Sequence, residues 1–451
     1  MDARMSFNGQ TNMMRDLRSR RMLLLALALT MALSVVSPIS QDGGALFRQI
    51  SYSAVAIFAF ISLRPLVSPE RLFVIPLGLV VALLWSAASI FWAIEPGMAA
   101  RRLILTATII WTICSAVNVL GFTRTLAVMR IILLVALASN YLAVIIAPSW
   151  GIHQAADALD KNLIGDWRGI MMQKNFAGAA CSITIICFLF DRRGITPWLR
   201  FAIIGAATFF LVKSGSRTSL IGCLGAVGVG VMYLGYNARY RMILLPLAAF
   251  IVFVVSSLTN IFYVRDPWQF LQNYQSTLSG RVAIWEMVWR YSMDNRLLGA
   301  GYGSFWNIGN ASPVYEYGKG WLLELASGHN GYLDLLATIG IPGLAIVVVG
   351  AIVLPLLRLL TSESANGPPG ALLFALIIFG MAHNSSESSL FDRDSLTWLF
   401  MVVAIALTRK ITQKNYGHAN SFTPIFDEPS RLREKRAVRR SAPAIQRGGV
   451  A

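Results

Sequence analysis

The chain has 451 residues, of which 56% are apolar and 14% charged, and a formal net charge of +17. Runs such as Leu72–Trp92 and Met242–Ile261 hold about 20 residues with almost no charge, the length of a bilayer-spanning helix. They have no polar stripe, which excludes a water-soluble helical domain. The basic excess falls on alternate loops, which argues for membrane orientation and against a nucleic-acid partner.

In chain order the apolar runs predict about twelve transmembrane helices. They cover residues 22–40, 45–63, 72–93, 102–120, 126–147, 175–190, 198–212, 218–236, 242–261, 343–360, 369–386 and 394–408. The fold class is an all-α polytopic membrane protein. The first run follows Arg15, Arg18, Arg20 and Arg21 and reads as a retained signal-anchor helix, since many spans follow it. Cys114, Cys181, Cys187 and Cys223 all fall inside spans without metal-ligand spacing and read as packing residues.

Basic clusters lie at the N-terminus, Arg64 and Arg71, Arg124 and Arg130, Arg192, Arg193 and Arg200, Arg239 and Arg241, Arg358, and the tail after Thr408. The positive-inside rule therefore puts both termini in the cytoplasm, with Arg101 and Arg102 against the pattern. The chain divides into a cytoplasmic basic N-terminus (1–21), a transmembrane domain (22–408) and a basic tail (409–451). The tail's composition predicts disorder near anionic headgroups.

Two external loops are long: Pro148–Asn175, and a larger one over 262–342. Long loops with structure of their own are usually functional. Arg168, Lys174, Lys213, Arg217, Arg265 and Arg281 lie on this external side, where orientation does not ask for positive charge. They suggest an anionic ligand at the outer headgroup level.

"DWRGIMMQKNFAGAA" carries Arg168 and Lys174 into the sixth span, with Lys174 as ligand contact or interfacial anchor and Asn175 as a candidate helix cap. "KSGSRTSLIG" joins the seventh and eighth spans. Its Ser216 hydroxyl, turn backbone and cations Lys213 and Arg217 form an anion cradle, with Arg217 offering a bidentate fork; the alternative is a short turn with a snorkelling arginine.

From Arg281 a helix is predicted with Glu286, Arg290 and Asp294 on one stripe. Val282, Trp285 and Trp289 lie off that stripe, so this helix is expected to lie flat in the interface. Arg281 falls opposite the stripe, aimed into the protein, and Gly280 leaves the backbone before it accessible. The alternative is an arginine reaching lipid phosphate. "GAGYGSFW" has no preceding strand and reads as a tight loop rather than a nucleotide loop.

"ASGHNGYLDLLATIGIPGL" sets His329 and Asn330 before a short external helix that "GIPGL" ends. His329 is either an interfacial hydrogen-bonder or a base that takes a proton from a hydroxyl. The four histidines have no metal-binding spacing, and "DRD" at Asp392–Asp394 is read as a helix cap rather than a metal motif. No metal site and no cofactor are expected.

These motifs, with "LWSAASIFWAIEPGMAARR" before them and "HNSSESSLFDRDSLTWLF" after them, appear in the order seen in the O-antigen ligase/polymerase superfamily. The likeness covers about residues 20–410 and is greatest to exopolysaccharide polymerases of the succinoglycan (ExoQ) type. It implies a GT-C-like helical bundle in the bacterial inner membrane and metal-independent, inverting glycan transfer at the periplasmic face. The implied donor is undecaprenyl-pyrophosphate-linked oligosaccharide; membrane lipid, a chain-length co-polymerase and a flippase are the other partners. Arg217 and Arg281 are implied to hold pyrophosphate and His329 to act as base or to orient the acceptor. Arg168 and Lys174 match basic positions of less certain role. A ligase that transfers the glycan to lipid A-core shares the motifs. A transporter of polysaccharide or lipid-linked sugar is the reading from another class, disfavoured because the span centres are nearly free of charge.

Overall fold

The computed structural model describes residues 19–33, 44–63, 72–155, 163–244, 246, 281–393 and 395–413. Arg15, Arg18, Arg64, Arg71, most of the ninth predicted span, Arg265, Gly280, Asp394 and the tail from Lys414 lie outside the described residues.

Among the described residues the protein is all-helical, with one isolated bridge between Ile152 and Trp167 and no strand. The helices are α1 (19–33), α2 (Gly44–Leu63), α3 (Leu77–Ala88), α4 (Pro96–Ile146), α5 (Lys174–Phe190) and α6 (Pro197–Lys213). There follow α7 (Arg217–Gly235), α8 (Arg281–Asp294), α9 (Gly331–Val348), α10 (Leu354–Thr361), α11 (Pro368–His383) and α12 (Leu396–Ile411). Proline opens α4, α6 and α11, where its missing N–H is no loss. Ser216, Asn330 and Ser395 cap α7, α9 and α12 through their side chains. The cap of α12 is thus Ser395.

Pro96–Ile146, Arg217–Gly235 and Gly331–Thr361 are long and apolar enough to cross a membrane. Gln49–Leu63, Leu77–Trp92, Lys174–Phe190 and Pro368–His383 are shorter apolar helices. This is an α-helical membrane protein. α11 and α12 are apolar all round and form its centre, with every residue of α12 buried except Arg409 and Lys410. The four cysteines are buried and unpaired.

α4 is one continuous helix only by its hydrogen bonds. Gly121 interrupts it with φ 73° and ψ −177°, a conformation that suits glycine. Arg102 bonds the loop 303–307, while Asn118 Oδ1 accepts from Lys410 Nζ at 3.3 Å at the far end of α12. Beyond the break, Arg130 pairs with Asp191 at 2.8 Å, and Asn140 Oδ1 accepts from Ile170 N at 3.0 Å beside the start of α5. The chain therefore turns back at Gly121, and the loop expected over 121–125 shrinks to that residue.

The same far end gathers the basic residues of alternate loops. Arg193 joins Asp191 at 2.8 Å, Arg241 bonds Asn366 and lies over the Tyr233 ring, and Arg409 donates to the Val74 carbonyl. The opposite end carries α8, the segments 148–155, 163–173 and 295–330, and the turn 384–393.

α8 departs from the expected interfacial helix. Its Ile284, Met287, Val288 and Tyr291 bury against Ala300, Phe305, Trp306, Val314 and Ala337, a second small core. Protein thus covers this side of the helix, while Trp289 stays exposed. Arg290 pairs with Glu286 as the spacing predicts, but Asp294 accepts from the Tyr317 hydroxyl at 2.9 Å instead of extending the stripe.

The loop Gly299–Trp306 folds back tightly. Gly299, Gly301 and Gly303 all have positive φ, and Ala300 N donates to Ala337 O at 2.8 Å. Arg102 donates to the Gly303 carbonyl, to Trp306 O at 2.8 Å and to Asn307 O at 3.1 Å. The external charge that broke the orientation pattern thus pins this loop.

Candidate active site

His329, Arg281 and an acid that the sequence reading did not single out, Glu387, meet at the loop-bearing end. Arg281 stands at the first position of α8, and its Nη2 lies 2.5 Å from Glu387 Oε1. Its Nη1 donates to the Ser386 carbonyl. The arginine points into the protein, as its position opposite the polar stripe predicts.

Glu387 Oε2 lies 3.7 Å from His329 Nδ1. Its Oε1 also accepts from Asn175 Nδ2 at 2.6 Å. The Glu387 side chain is only 3% exposed, while His329 keeps 25% exposure. Burial alone would raise the Glu387 carboxyl. The hydrogen-bonding His329 and the charges of Arg281, His329 and His383 outweigh it and hold the group below its ordinary value. An ionised carboxylate 3.7 Å from Nδ1 attracts the imidazole electrostatically.

The backbone fixes this geometry. His329 has φ 49°, a left-handed conformation. Asn330 Oδ1 accepts from Tyr332 N at 3.1 Å and Leu333 N at 3.2 Å, capping α9. Its Nδ2 donates to Ser385 O at 3.1 Å, and Gly331 N donates to the carbonyls of Asn384 and Glu387. Asn330 therefore positions His329 against the turn that bears Glu387. After Ile339 the helix breaks at Gly340, with φ 69°, as the short run before "GIPGL" predicts.

Arg217 opens α7 beside this cluster. Thr218 Oγ1 accepts from Ser386 Oγ at 2.7 Å, so the start of α7 and Arg281 hold the same residue. Arg217 itself is exposed and has no ion pair or hydrogen bond to a described residue, which leaves its guanidinium available. Ser216 is buried: its hydroxyl donates to Asn175 Oδ1 at 2.8 Å and caps the helix. Asn175 is not the cap of α5, a place taken by the Gln173 backbone; its amide instead links Ser216 to Glu387.

The remaining candidates sit further round. Lys174 pairs with Asp166 at 2.6 Å, half-buried. Arg168 Nε donates to Trp150 O at 2.8 Å, and Lys213 Nζ lies 5.8 Å from the Phe209 ring centre. The structure thus joins Arg281, His329, Asn330, Ser216 and the start of α7 through Glu387 and Asn175, with Lys174 next in chain to Asn175. Arg168 and Lys213 are outside that network. Among the described residues no three His, Cys, Asp or Glu side chains are grouped to hold a metal ion.

The signal for Glu387 was available. It is the sole acid between Glu363 and Asp392, in a polar run between two apolar spans. A single acid in that setting needs a partner, and external Arg281 was the arginine predicted to point inward.

No curated protein matches this chain. Residues 200–348 match a family model described as O-antigen ligase, a stretch that contains Arg217, Arg281 and His329 but not Glu387. Members of that family are glycosyltransferase-like ligases and polymerases that act on lipid-linked oligosaccharides in membranes. The match covers about a third of the chain and is a likeness to that family over those residues.

Proposed function

We propose that this protein is an exopolysaccharide polymerase of the bacterial inner membrane. It transfers glycan from a polyprenyl pyrophosphate carrier to a sugar hydroxyl at the periplasmic face, with both termini cytoplasmic. The observation that carries this reading is the Arg281–Glu387–His329 linkage beside the exposed Arg217.

The chemistry follows from the groups. Transfer needs a cationic site for departing pyrophosphate and a base for the incoming hydroxyl. Arg217 presents a planar fork at the start of a long helix, whose unsatisfied N–H groups add partial positive charge. Arg281 supplies a second cation and ties it to the base through Glu387. His329, beside Glu387, accepts the hydroxyl proton as the oxygen attacks the anomeric carbon from the face opposite pyrophosphate, inverting the centre. A positioned base contributes roughly 10²–10⁴-fold in rate.

Transfer to lipid A-core is the second reading, favoured by the description of the matched family as O-antigen ligase. Deleting the gene and sizing secreted polysaccharide beside lipopolysaccharide separates the two. Loss of long secreted polymer with intact lipopolysaccharide is expected. O-chains missing from otherwise normal lipid A-core would assign the ligase instead.

A further inference from the structure

The turn 385–390 divides two regions. Ser386 bonds Thr218 and gives its carbonyl to Arg281, on the side of the two arginines. Ser388, two residues on, receives Asn330 N at 3.2 Å and lines a cavity of about 220 Å³. Glu387 lies between them with His329 against it. Arg281 and the start of α7 thus meet this turn at Ser386, and the cavity meets it at Ser388.

The cavity wall combines Arg102, Arg393 and Asp392 with Trp306, Asp334 and Ser327. Asp334 Oδ1 accepts from Trp306 Nε1 at 3.0 Å and Gly328 N at 3.1 Å, which fixes both the carboxylate and the indole. Carboxylate, hydroxyl and guanidinium groups in one wall suit a pyranose, whose hydroxyls both donate and accept hydrogen bonds. A cavity of this volume has room for a sugar ring.

Backbone strain marks the same place. Among the described residues the non-glycine positions with positive φ are Asn307 (54°), His329 (49°) and Phe391 (61°). Asn307 and Phe391 line the cavity, and His329 stands between its lining residues Ser327 and Gly331. Conformations of this kind persist where surrounding structure imposes them, and they concentrate at ligand sites.

We propose that this cavity is the acceptor subsite and takes one hexose ring of the acceptor glycan, an inference that rests on the transfer reading. The acceptor hydroxyl oxygen bonds to the donor's anomeric carbon as the carbon–oxygen bond to pyrophosphate breaks. The hydroxyl proton passes to His329, and the electron pair leaves with the polyprenyl pyrophosphate.

Ser327→Tyr fills the cavity from a residue outside the base and cation set, and Ser327→Ala is its control. The full chain in lipid nanodiscs is assayed for saturation transfer from the protein to glucose, galactose and mannose. Release of polyprenyl pyrophosphate from lipid-linked repeat unit is measured in parallel, against repeat-unit oligosaccharide as acceptor. The expected result is hexose saturation in wild type and Ser327→Ala, its loss in Ser327→Tyr, and a roughly tenfold or larger rise in acceptor KM in Ser327→Tyr. Folded Ser327→Tyr with unchanged hexose saturation and unchanged acceptor KM overturns the subsite and leaves the transfer reading intact. Wild type that releases no polyprenyl pyrophosphate overturns the transfer reading, and with it the acceptor role, whatever the hexose signal.

Discussion

Arg281 Nη2 and Glu387 Oε1 lie 2.5 Å apart, with side-chain exposures of only 13% and 3%. A buried pair of this kind is weak as net stabilisation but costly to break, because removing one partner strands the other charge. Glu387→Ala is expected to destabilise by about 3–5 kcal/mol. Glu387→Gln keeps the size and the carbonyl oxygen that faces Asn175, so it destabilises less while still losing transfer, since the amide carries no charge for His329. Thermal melting and turnover of both variants check this; an active, fully stable Glu387→Ala would contradict it.

The pH dependence has a definite sign. The Glu387 carboxyl is held below its ordinary value of 4.5, so its stabilising contribution is complete above that value and disappears as pH falls below it. Melting temperatures of wild type and Glu387→Gln should differ above about pH 4.5 and converge below it. Convergence well above that range would show that the carboxylate is not held by its partners.

Arg217 separates function from fold. It is exposed and lacks a described partner, so Arg217→Lys should leave stability within about 0.5 kcal/mol. Transfer should fall nonetheless, because lysine keeps the charge and loses the bidentate fork. Full transfer activity in that variant would sink the pyrophosphate role.

Arg102 works the other way. Its guanidinium donates to three carbonyls of the loop Gly303–Asn307, and hydrogen bonds from a charged group contribute about 1.5–3 kcal/mol. Arg102→Ala should lower stability by about that much and speed hydrogen exchange across residues 299–307. Unchanged exchange there would show that the glycine turn holds itself.

Much of this organisation was legible in the sequence because lipid admits few solutions. Spans six to eight and eleven follow their apolar runs to within a few residues, since a helix must satisfy its own backbone. The inward aim of Arg281 followed from helical period alone. Side-chain hydrogen bonding was less legible. Asn175 reads as a cap by type, yet its amide crosses to Glu387 and Ser216, partners 212 and 41 residues away. The packing of α8 escaped because the aromatic residues that cover it, Phe305, Trp306 and Tyr317, belong to loops without periodicity. Gly121 hid a full reversal in one residue, where a loop of several was expected.

The central claim is that His329 deprotonates an acceptor hydroxyl while the arginines hold pyrophosphate. The most direct measurement is polymer formation by the full chain in proteoliposomes supplied with polyprenyl-pyrophosphate-linked repeat unit. Wild type is expected to lengthen the glycan and release polyprenyl pyrophosphate in equal amount, and His329→Ala to lose roughly 10²–10⁴-fold in rate with donor binding retained. Wild-type rate in His329→Ala, or loss confined to donor binding, would contradict the account.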